Sequence, residues 1–132
     1  MRKMNKELII CIAILILIVI GDVITQNSTS QALDEVESKL DNLRKEMIQE
    51  KINQETLKNN MVEIQNLWNE KYQRLAYYIE HDELEKVGVE LAKLNANLET
   101  QEYSTGVENL DNCVFILAHI KDKHALKVVN IF

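Results

Sequence analysis

The chain has 132 residues, a formal charge of −6 and 46% hydrophobic residues, with no proline, three glycines and two cysteines. So acidic a balance argues against nucleic acid and against adhesion to anionic lipid surfaces. Two cysteines, one in an apolar N-terminal run and one near the C-terminus, exclude a disulfide framework. A chain with so few breakers is expected to be all-α, with long helices.

The first element is Leu8 to Ile20, LIICIAILILIVI, thirteen apolar residues in a row. Counted from Lys6 to Ile24 the segment reaches 19 residues, close to the roughly 20 a helix needs to cross a bilayer. Arg2, Lys3 and Lys6 precede it, and no Lys or Arg follows until Lys39. Positive charge stays on the cytoplasmic side, so the N-terminus is expected inside and the body outside. The alternative is a cleaved signal peptide. Its only candidate cleavage site, Val19-Ile20-Gly21, matches the small-residue pattern poorly. The expected division is a cytoplasmic N-terminus at 1–6, a transmembrane signal anchor at 7–25 and an extracytoplasmic helical bundle at 26–132. Beyond Ile24 the chain carries 12 Lys and Arg against 19 Asp and Glu.

Asn27-Ser28-Thr29-Ser30 reads as a polar hinge and N-cap cluster. It also matches a glycosylation sequon, which so close to a membrane is read as cap and hinge. Leu33, Val36, Leu40, Leu43 and Met47 then recur at 3,4 spacing, an amphipathic helix. Asn53 can cap a second helix with Leu57, Met61, Ile64, Leu67, Trp68, Leu75, Tyr78 and Ile79 on its apolar side. Asp82-Glu83-Leu84-Glu85 has the capping-box pattern and precedes Leu84, Val87, Leu91, Leu94 and Leu98. Thr105-Gly106-Val107-Glu108 is a second such box, before Val107, Leu110, Val114, Leu117 and Ile120. Only Val128 to Phe132 has strand character. The expected architecture is a small antiparallel bundle of three or four helices behind the transmembrane helix, with Leu126, Val128, Ile131 and Phe132 folded back onto it.

The set Trp68, Tyr78-Ile79-Glu80-His81-Asp82-Glu83-Leu84-Glu85, His119-Ile120 and Asn130-Ile131-Phe132 resembles a bacterial family of small single-span membrane proteins, the DUF4363-like domain of unknown function. The resemblance covers about residues 60 to 132. It brings no catalytic role, and it implies a bacterial cell-membrane location and a multi-span membrane protein as partner.

Glu80, His81 and Glu83, joined across the bundle by His119, are weak candidates for a divalent metal, since one His and two carboxylates can hold zinc or iron. The plainer reading gives Asp82 a capping role and places His81 at a helix end, where a cation is favoured. Trp68, Tyr72, Tyr77 and Tyr78 suggest an aromatic cluster, more often core than ligand site. No phosphate loop, nucleophile elbow, zinc-protease or CxxC motif occurs. The expectation is a non-enzymatic protein-interaction module without cofactor or evident small-molecule substrate. Trp68, Tyr78, His81, Ile131 and Phe132 are its candidate interaction residues. The alternative is a small ligand- or metal-binding sensor domain.

Overall fold

The structure, a computed structural model, describes the backbone of residues 5–131 and the side chains of residues 5–125. Four helices account for nearly all of it: α1 (Lys6–Met47), α2 (Gln54–Leu75), α3 (His81–Glu99) and α4 (Tyr103–Ile131). The segment with strand character, up to Ile131, is helical backbone at the end of α4. The side chains of Leu126, Val128, Ile131 and Phe132 lie outside the described residues, as do Arg2 and Lys3.

Helix α1 runs for 42 residues without a break. The hinge expected at Asn27 to Ser30 is helical, and Thr29 within it is buried. The reason is energetic. None of these four residues costs more than a fraction of a kcal/mol in a helix, whereas ending one leaves about four N–H or C=O groups unpaired at each new end. The two halves of α1 meet different surroundings. Its apolar window has a mean hydropathy of 3.1 and none of it is buried, while Leu33, Val36, Leu40 and Leu43 are fully buried. Among the described residues, this is the one helix long and apolar enough to cross a membrane.

The turns follow local chemistry, although two begin elsewhere than the sequence pattern suggests. Asn53 caps α2 as expected: its side-chain oxygen accepts from the N–H groups of Glu55 and Thr56 at 3.1 and 3.3 Å. Helix α3 instead starts at His81, with Glu80 as N-cap and no side-chain cap hydrogen bond. Asp82 therefore sits inside the first turn, where its charge complements the helix dipole but caps nothing. Helix α4 likewise opens at Tyr103, ahead of the Thr105 box. The preceding turn displaces that box. Gln101 takes a left-handed φ of 60°, its N–H donates to the Leu98 carbonyl, and the N–H of Glu102 donates to that of Asn97 at 2.8 Å. That closure satisfies the last carbonyls of α3 and sends the chain directly into α4.

Each helix packs on the next and α4 returns to α1, a closed antiparallel ring. Polar pairs fix the register. Lys121 meets Asp34 at 2.5 Å and Arg44 meets Asp111 at 2.8 Å, so ten residues along α1 correspond to ten in the opposite sense along α4. Glu35 pairs with Lys71 and Glu46 with Asn60 in the same way between α1 and α2. The expected seams supply the core: Leu33, Leu40, Met61, Ile64, Leu84, Leu94, Leu110 and Leu117 are all essentially inaccessible. Each such side chain stabilises the fold by about 1.5–3 kcal/mol. Ile79, in the α2–α3 turn, plugs the end of the core where α1 enters.

Candidate functional site

Three of the sequence-derived candidates, Tyr78, Glu80 and His81, lie at the α2–α3 turn, between Leu75 and His81. Helix α2 ends because Ala76 begins a tighter turn, in which the N–H groups of Tyr78 and Ile79 both donate to the Leu75 carbonyl. The turn buries Ile79 and leaves Tyr77 and Tyr78 outside, 85% and 50% exposed. Their rings lie 6.5 Å apart, centroid to centroid.

The aromatic residues form two groups. Trp68 meets Tyr72 edge-on at 6.2 Å, and Tyr72 meets His81 edge-on at 5.9 Å. The Tyr72 hydroxyl lies 3.0 Å from His81 Nδ1. This row leads from the core to the surface: Trp68 is only 4% exposed, Tyr72 half-buried and His81 exposed. Trp68 therefore belongs to the core and presents no interaction surface. Of the other interaction candidates, Tyr78 and His81 are accessible, and the side chains of Ile131 and Phe132 lie outside the described residues.

The carboxylates of the corner face amines. Lys123 of α4 reaches Glu80 at 3.5 Å and Glu83 at 4.0 Å, and Lys86 approaches Glu83 at 3.7 Å. His119 occupies an exposed position on α4. Among the described residues, no three His, Cys, Asp or Glu side chains come together in a way that could hold a metal ion. The physical reason is register: Lys123 fills the position across from Glu80 and Glu83.

A second feature was not foreseen. An open groove of about 600 Å³ runs between α1 and α4, lined in part by Glu37, Ser38, Asp41 and Val114. The pairs Arg44–Asp111 and Lys121–Asp34 border it. Hydrogen bonding to Asp111 raises the pKa of the Arg44 guanidinium, and hydrogen bonding to Asp34 raises that of Lys121. Being exposed, such pairs are screened by solvent and add little to stability. These partners lie 67 and 87 residues apart, so no local pattern announces them.

Residues 23–131 match the family model described as Domain of unknown function (DUF4363). The match begins at the junction of the apolar run and takes in the whole bundle, further than the segment from 60 onward on which the resemblance rested. No curated protein and no solved structure matches the chain.

Proposed function

This chain is a member of the DUF4363 family, and from that premise we propose that it is a non-enzymatic, membrane-anchored helical module that binds another protein. The partner is a multi-span membrane protein, met at the outer face of a bacterial membrane. Helix α1 carries this reading. Its apolar half has no packing partner among the described residues, and its other half is bundle core. So long an apolar surface left in water costs far more than a small bundle can supply, and lipid is the natural cover. Lys6 and the two basic residues before it favour the cytoplasm for the N-terminus. Away from α1, Phe115 is 73% exposed and Val62 and Val89 are each close to half exposed, apolar side chains available to a partner.

A photo-crosslinking residue at Phe115 or Val89 of the full chain, in intact cells, tests the reading. The expected product is a discrete adduct with one multi-span membrane protein, absent when the same residue is placed at Glu55. No adduct from any position, with the chain in the membrane fraction, overturns the interaction role. Stoichiometric zinc or iron in the purified chain would instead favour a sensor domain.

A further inference from the structure

We propose that the end of the bundle nearest the apolar run is itself seated in the lipid headgroup layer, with Tyr77 and Tyr78 as its aromatic anchors. The inference rests on the reading of α1 as a membrane span and adds a second lipid contact remote in sequence from it.

The argument is one of height along an unbroken rod. Because α1 is one continuous helix from Lys6 to Met47, the rise per residue sets how far each level of the bundle lies from the apolar run. The α1–α2 register continues from the Glu35–Lys71 pair, so Leu75, four residues further along α2, stands level with Gln31 of α1. Gln31 lies seven residues beyond Ile24, the last residue of the 19-residue spanning segment, a rise of about 10 Å. The turn carries the chain past Leu75 toward the run, which brings the backbone of Tyr77 and Tyr78 to within roughly 6–8 Å of that level. Headgroup layers are about 5–8 Å deep on each face of a bilayer. A phenol ring on that turn reaches into the layer. An ordinary helix tilt of about 20°, acting over a neighbour distance of 8–10 Å, displaces the turn by only about 3 Å.

Three observations support the placement. Tyr77 and Tyr78 are the exposed aromatic pair of the bundle, and tyrosine is enriched where one end of a side chain is apolar and the other wet. The constant α1–α4 register brings the backbone of Ile131 level with Ile24, so α4 reaches the same height. Finally, the acidic groups Glu80 and Asp34 at this end are matched by Lys123 and Lys121, which moderates the repulsion an acidic bundle would meet at lipid phosphates.

The test uses the full chain in phosphatidylcholine vesicles. Cys11→Ala removes the accessible thiol, and Cys113 is fully buried. An environment-sensitive fluorophore is then placed at Tyr78→Cys, at Tyr77→Cys or, as a control far up α2, at Val62→Cys. Nitroxide on the lipid headgroup should quench the labels at 77 and 78 at least twofold and leave the label at 62 unchanged. Equal quenching at all three positions, or none at 77 and 78 on a chain that floats with the vesicles, overturns the proposal. A label on native Cys11, read with mid-chain nitroxide, tests the span separately. Its failure removes the anchor reading first, and the two failures are thus distinguishable.

Discussion

Cys113 shows how burial alone sets a residue's chemistry. It sits in the core with no disulfide partner, and desolvation, helped by the nearby charge of Glu90, pushes its thiol from 9.0 up to about 12. The unfolded thiol ionises near its ordinary value while the folded one stays protonated. Between about pH 9 and about 12 the folded state therefore holds the extra proton, and stability falls as pH rises through that window. Denaturant midpoints of the full chain in detergent should drop from pH 8 to pH 10.5, and Cys113→Ala should drop less. The Lys121 shift acts in the same direction, so the comparison between variants, and not the wild-type slope, isolates the thiol. Identical slopes for both proteins would refute the assignment. Cys113 stands three residues after Leu110 and four before Leu117, so helical spacing puts it on the buried seam, while Phe115 two positions on, in an equally apolar stretch, is mostly exposed.

Among the elements, helix ends were the least legible. Asn53 is a cap and Asp82 is not, although Asp82 belongs to the more complete motif. A capping box states which side chains could close a helix, while the packing of Ile79 and Leu84 decides where the backbone turns. Asn53→Ala should accordingly lower stability by about 0.5–2 kcal/mol. Asp82→Ala, which loses only a dipole interaction, should cost no more than about 0.3–1 kcal/mol. Thermal unfolding monitored by circular dichroism decides between them; a larger loss for Asp82→Ala would mean that α3 starts two residues later, at Glu83, with Asp82 as its cap.

At the scale of the whole molecule, the basic residues before the apolar run set the expected orientation, and α1 joins that run to the bundle as one helix. If the three basic residues before the span hold the N-terminus inside, the bundle lies outside, and Lys58 on the exposed side of α2 is accessible there. Lys58→Cys in a Cys11→Ala background should react with a membrane-impermeant thiol reagent in intact protoplasts. Reaction only after lysis would reverse the topology. The Asn27 to Ser30 stretch that reads as a polar hinge is one more turn of α1.

Hydrophobic periodicity alone determined that the chain is a helical bundle behind one long apolar helix, and which seams form its core. Those properties depend on neighbours three and four residues apart, which a single sequence records. Tertiary structure decided the rest: that α1 is continuous, that Trp68 faces inward, that Lys123 answers Glu80 and Glu83, and that the α2–α3 turn buries Ile79 and leaves Tyr77 and Tyr78 exposed. Each depends on which helices are adjacent and in what register, and partners as distant as Asp34 and Lys121 find one another only once the core has closed between them.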